Sequence, residues 1–87
     1  MKLLGAVESV FSISSRGTVL ATIRRSEEAV RVGDRIQLRC PNGTHIDSEI
    51  LAIELIKKTE GRCQEAYMIP GHLPETRMPI GTEIWLL

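Results

Sequence analysis

Hydrophobic and polar residues alternate along most of this chain in runs of strand length, with turn-forming residues every ten positions or so. Over residues 4–14, Val7, Phe11 and Ile13 alternate with Glu8, Ser12 and Ser14, the period of a half-buried strand. Val10 interrupts that alternation and predicts a bulge. Residues 18–24 form a second run, with Val19, Ala21 and Ile23 on one face and Leu20 and Thr22 on the other. A charged connection leads through Val32-Gly33-Asp34 into a third strand over 35–40. Its alternation is clean, with Ile36, Leu38 and Cys40 inward and Arg35, Gln37 and Arg39 outward. Pro41-Asn42-Gly43 then predicts a hairpin, because Asn and Gly both tolerate positive φ. The fourth strand, 44–57, changes register from Ile46, Ser48 and Ile50 to Leu51, Ile53 and Leu55. That change predicts a bend or bulge near residues 49–51. Residues 58–62 read as a turn, 64–69 as a fifth strand ending at Pro70-Gly71, 72–79 as an irregular loop and 82–86 as a last strand. No stretch keeps a 3.6-residue period over three turns, so the chain is expected to be all-β, with Ser26 to Val30 forming one helical turn at most.

Composition narrows this picture. Eighty-seven residues make one domain over 1–87. A chain this short has a marginal core, and closing the sheet on itself would help it. One Phe, one Trp and one Tyr leave the interior to Ile, Leu, Val and Met. Eleven basic side chains balance eleven acidic ones, which argues against a non-specific polyanion binder. The distribution is uneven, however: residues 1–40 carry seven Lys/Arg against four Asp/Glu, and residues 41–87 carry four against seven. Cys40 and Cys63 have no neighbours at metal-ligand spacing, and reduced thiols fit a cytoplasmic setting. The opening apolar run before Glu8 is too short for a signal sequence or a membrane span.

The stretch Val10-Phe11-Ser12-Ile13-Ser14-Ser15-Arg16-Gly17-Thr18-Val19 resembles the start of the second domain of translational GTPases of the elongation factor Tu type, where the pattern is Val-Phe-x-Ile-x-Gly-Arg-Gly-Thr-Val-Val. Arg31-Val32-Gly33-Asp34-Arg35-Ile36 is similar to that family's Lys-Val-Gly-Asp-x-hydrophobic. Ala52-Ile53-Glu54-Leu55-Ile56-Lys57-Lys58 is similar to its Gly-Val/Ile-Glu-Met-Phe-Arg/His-Lys, and Glu60-Gly61-Arg62 to the turn that follows. The likeness is ordered and covers roughly residues 5–65. It implies a small closed six- to seven-stranded β-barrel of the translation-protein type, here standing alone. Ser15 stands in place of the family's first glycine, Thr22 and Ile23 where glycine is common, and Glu65-Ala66-Tyr67-Met68 in place of its Gly-Asp/Glu-Asn-hydrophobic-Gly. No Gly-x-x-x-x-Gly-Lys-Ser/Thr phosphate loop is present, so no nucleotide is expected.

Candidate contacts follow from the residues and from the likeness. Arg16 and Gly17 are expected at the tip of the first hairpin, in the loop that faces the small ribosomal subunit in the family. An arginine on a rigid turn suits phosphate, since its forked donors match phosphate oxygens, and the Ser14 and Ser15 hydroxyls stand beside it. The bland alternative is a solvated turn with Gly17 at positive φ. Arg24, Arg25, Arg31, Arg35 and Arg39 could share neighbouring outward faces of strands two and three, either as a phosphate-tracking patch or as a solvated face neutralised by Glu27, Glu28 and Asp34. Tyr67 and Trp85 offer too little aromatic surface for extensive base stacking. By resemblance, Glu54 and Lys57 match positions near the pocket for the terminal adenosine of aminoacyl-tRNA; an exposed ion pair is the alternative.

His45, His72 and Glu75 lack the spacing of a metal or acid–base set, Ser14 and Ser15 lack a nearby histidine, and Cys63 between Arg62 and Glu65 is the one conceivable reactive thiol. No catalytic, cofactor or metal residues are assigned. The expectation is a non-catalytic module that docks on RNA or a ribonucleoprotein such as the ribosome. The alternative is a protein-interaction adapter that kept the barrel without RNA binding.

Overall fold

The computed structural model describes residues 1–13, 17–26, 29–59, 62–71 and 79–87; of Ser12, Ile13, Lys57, Lys58, Thr59, Arg62 and Cys63 it describes the backbone alone. Seven strands run β1 Lys2–Ile13, β2 Gly17–Arg24, β3 Arg35–Arg39, β4 His45–Glu49, β5 Ala52–Thr59, β6 Arg62–Ile69 and β7 Glu83–Leu86. They form one antiparallel sheet in the order β4-β3-β7-β1-β2-β6-β5. The predicted long fourth strand is divided at Ile50-Leu51 into β4 and β5, at the bend its register change called for.

That division dictates the shape. β4 and β5 lie at opposite ends of the strand order, yet only two residues connect them. Three Cα steps reach about 11 Å at most, so the sheet must curl until its edges meet there. The corner is pinned from both sides. Ile50 donates its N–H to the Asp34 carbonyl at 3.0 Å and accepts from the Gly33 N–H at 2.7 Å. Leu51 donates to the Met68 carbonyl on β6 at 2.7 Å. Among the described residues no ladder joins β4 to β5 beyond this corner, and the result is a curled half-barrel.

Leu4, Val7, Val10, Leu20, Ile36, Leu38, Ile50, Tyr67, Ile69 and Ile84 form the core on the concave side, with Val30, Ile46, Ile53 and Leu86 against it. Ile36, Leu38 and Cys40 point inward as their alternation predicts. Three threonines are also buried, and each hydroxyl is satisfied: Thr18 by the Gly71 carbonyl at 2.8 Å, Thr22 by the Leu20 carbonyl at 3.2 Å and Thr82 by the Pro79 carbonyl at 2.7 Å.

Three inward assignments are corrected. The β1 bulge falls between Val7 and Ser9, one turn of the pleat before Val10. Glu8 is the extra residue, so Val10 joins Val7 in the core and Phe11 swings outward to 57% exposure. Leu51 at the corner and Leu55 on the edge strand β5 are exposed, with only Ile53 of that set packed on the core.

Candidate functional site

Gly17 opens β2, paired with Ile13, rather than forming the tip of the hairpin. Its φ is +136°, and a Cβ there would lie 2.3 Å from the Ile69 carbonyl oxygen. No side chain fits, so glycine is required where β2 passes the end of β6. Ser14, Ser15 and Arg16 lie outside the described residues, as do Glu27, Glu28, His72 and Glu75.

The arginines of β2 and β3 do not share a surface, because β7 and β1 lie between those strands. Arg24 is drawn to the concave side at one end of the half-barrel, with its side chain only 11% exposed. Its Nη1 pairs with the Glu65 carboxylate and reaches the Tyr67 hydroxyl at 3.3 Å, while Nε and Nη2 donate to the Ser26 carbonyl. Tyr67 in turn donates to Glu65 at 3.3 Å. Burial opposes the charge on Arg24, but Tyr67 and Glu65 outweigh it and hold its pKa above the ordinary arginine value. Burial also pushes the Tyr67 hydroxyl up to about 12; Glu65 adds to the rise and Arg24 opposes it. The Arg24 guanidinium is thus a buried cation already matched to a carboxylate.

Arg39 and Arg35 occupy the convex face of β3. The Arg39 guanidinium lies 4.5 Å from the Trp85 ring centroid and donates to Gln37 Oε1 at 2.9 Å. Gln37 donates onward to Asp47 at 3.2 Å, and the Trp85 indole N–H donates to Glu83 at 3.1 Å. Arg35 stands directly opposite Glu49 on β4 and lines an open cleft of about 370 Å³ with Asp47, Glu49, Pro70 and Gly71. Both cations therefore stand among carboxylates, which offset the field a phosphate would feel.

Glu54 is exposed on the convex side of β5. It borders a shallow groove of about 360 Å³ with Val19, Ala52, Ile53, Ala66 and Met68. The cross-strand register carries this apolar surface over four strands. Phe11 pairs with Val19, Val19 with Met68, and Met68 with Ala52; in the next row Ser9, Ala21, Ala66 and Glu54 are aligned. This row escapes the simple alternation pattern, which places Phe11 inside. The Val7–Val10 spacing of three is the signal that locates it, since two buried positions three apart require one inserted residue. Lys57 occupies a register position on the same face as Glu54, since their β6 partners Gln64 and Ala66 are two residues apart. Tyr67, by contrast, is wholly buried and presents no ring for stacking.

Among the described residues no three of His, Cys, Asp and Glu are grouped to hold a metal ion, and no helix is long and apolar enough to cross a membrane. His45 is exposed, and the Cys40 thiol is buried. No protein-family model, no curated protein and no solved structure matches the chain.

Proposed function

We propose that this chain is a non-catalytic binding module whose working surface is the convex face of β1, β2, β6 and β5, and that the partner on that face is a protein. The observation that carries the reading is the row Phe11, Val19, Met68 and Ala52. An aromatic residue with 57% of its surface exposed heads an apolar band on the outside of a small sheet. Such a band rimmed by polar groups is the composition of a protein-interaction patch. Arg24, Arg35 and Arg39 support the same choice, being matched to Glu65 or placed beside Glu49 and Glu83.

Docking on RNA or a ribonucleoprotein such as the ribosome is the second reading. The groove bordered by Glu54 supports it, because a flat apolar cleft with one carboxylate suits a base and a ribose hydroxyl. The likeness of residues 10–19 to the translation-factor hairpin supports it too, through Arg16. On either reading the half-barrel is an open relative of the translation-protein barrel, with β4 and β5 meeting at the Ile50–Leu51 corner, and it works in the cytoplasm.

Affinity capture from native lysate at two salt concentrations, with protein and RNA both identified, tests the choice. A protein retained at high salt and lost on Phe11→Lys is the expected result. RNA or ribosomes retained only at low salt and lost on Arg16→Ala, with Phe11→Lys without effect, would replace it with the second reading.

A further inference from the structure

The two edges of the sheet differ in kind. β4 is five residues long, a shortness that discourages another strand from adding. β5 is eight residues long and ladders with β6 alone among the described residues. At its centre Leu55 and Ile56 are 59% and 53% exposed. An edge that is long and apolar at its middle is a template for a further strand.

The β5 sequence suits one partner in particular, its own copy. Glu54 pairs with Ala66, Leu55 with Glu65 and Lys57 with Gln64, so Ile56 is an inserted residue. The insertion brings Glu54 and Lys57, three residues apart, to one face. Two β5 strands set antiparallel about a two-fold axis between Leu55 and Ile56 place Glu54 opposite Lys57 of the second copy, and the reverse. Leu55 then meets Ile56, Ile53 meets Lys58, and Ala52 meets Thr59. In an unbulged strand, residues at odd spacing cannot oppose each other on one face under such an axis, because the side-chain period is two. The bulge lifts that restriction. Opposite charges directly across a ladder attract and like charges repel, and two-fold symmetry counts each pair twice.

We infer that the chain self-associates through β5, two copies joining their sheets edge to edge in an isologous antiparallel dimer matched by reciprocal Glu54–Lys57 pairs. Phe11 itself lies on β1, separated from this edge by β2 and β6, so Phe11→Lys leaves the dimer intact.

Sedimentation velocity over a dilution series tests this on the full chain, with far-ultraviolet circular dichroism confirming that each variant is folded. The wild type is expected to pass from dimer to monomer on dilution. Glu54→Lys alone and Lys57→Glu alone, each setting two like-charged pairs across the axis, are each expected to raise the dissociation constant about tenfold or more. The combined Glu54→Lys, Lys57→Glu variant restores the opposite pairing and returns the constant to within a few-fold of wild type. A wild type that stays monomeric up to about 1 mM overturns the proposal, since no affinity tighter than about 4 kcal/mol then exists. So does a dimer indifferent to Glu54→Lys, or one that the charge exchange fails to restore.

Discussion

Tyr67 is the only tyrosine in the chain, and its ring is fully buried against the core beside the Arg24–Glu65 pair. Its ionisation is therefore both a clean optical signal and a load on the fold. Burial raises its pKa from 10.0 to about 12, with Glu65 adding to the rise and Arg24 opposing it. In the unfolded chain the hydroxyl titrates near its ordinary value. Below about pH 10 both states keep the proton, and the contribution to stability is whole. Between about pH 10 and pH 12 the unfolded chain has released it while the folded chain has not, so stability falls as pH rises. Two pK units correspond to about 2.7 kcal/mol. That is a large share of the roughly 4–13 kcal/mol expected for a domain of this length. The assay follows phenolate absorbance and far-ultraviolet ellipticity together through an alkaline titration, with urea melts of the wild type and Tyr67→Phe at each pH. The phenolate signal is expected near pH 12 or in step with unfolding, and the wild type should lose about 2–3 kcal/mol relative to Tyr67→Phe across that window. Glu65→Gln should lower the phenolate midpoint. A phenolate midpoint near pH 10 with native ellipticity would refute the burial argument.

Two further predictions concern the sheet. Gly17→Ala forces a Cβ to 2.3 Å from the Ile69 carbonyl at a φ of +136°, so β2 and β6 must part locally; a loss of about 2–4 kcal/mol in urea melts is expected from strain and overlap together. Leu20→Ala removes a wholly buried side chain and should cost about 2–5 kcal/mol, whereas Leu55→Ala, 59% exposed on the edge, should stay within about 0.5 kcal/mol in the monomer. Thermal melts of the last pair check which of these two leucines belongs to the core.

Local pattern was sufficient wherever a residue's fate depends on its neighbours in sequence. β3 reads correctly because its five residues alternate without interruption. The turn before β4 reads correctly because Gly43 takes a φ of +91° and the Asn42 side chain accepts the Thr44 N–H at 2.9 Å, both local events. The bend at Ile50–Leu51 is legible because two apolar sets out of phase within one run have no other regular solution. Failures arise where long-range pairing decides. Leu51 and Leu55 match the inward period, but one sits at the corner and the other on an edge strand, which no local pattern states. Arg24 and Arg35 look like neighbours in consecutive strands, but β7, from the far end of the chain, inserts between β3 and β1. Arg24 also looks like a surface cation because its partners Glu65 and Tyr67 are more than forty residues away.

Of the three register shifts in the sheet, two, at Glu8 on β1 and Ile56 on β5, explain why surface and interior are arranged as they are. Both lie beside one cross-strand row, Val7, Thr22, Glu65 and Leu55. Bulges increase local twist and bend a strand, so two of them abreast concentrate the curl of the sheet along that row. On β1 the insertion is fastened by a hydrogen bond from the Gln64 side chain to the Glu8 carboxylate. Curling there brings Glu65 against Arg24 and Tyr67 on the concave side, where a carboxylate and a guanidinium are tolerated because each satisfies the other. The same insertions exchange faces beyond the row, which sends Phe11 outward and sets Glu54 and Lys57 on one face. A single backbone device therefore fills the inside with a closed polar cluster and leaves the outside apolar. The proposed binding surfaces, the convex face and the β5 edge, follow from this arrangement, because the Arg24 and Glu65 charges on the concave side are already matched to each other.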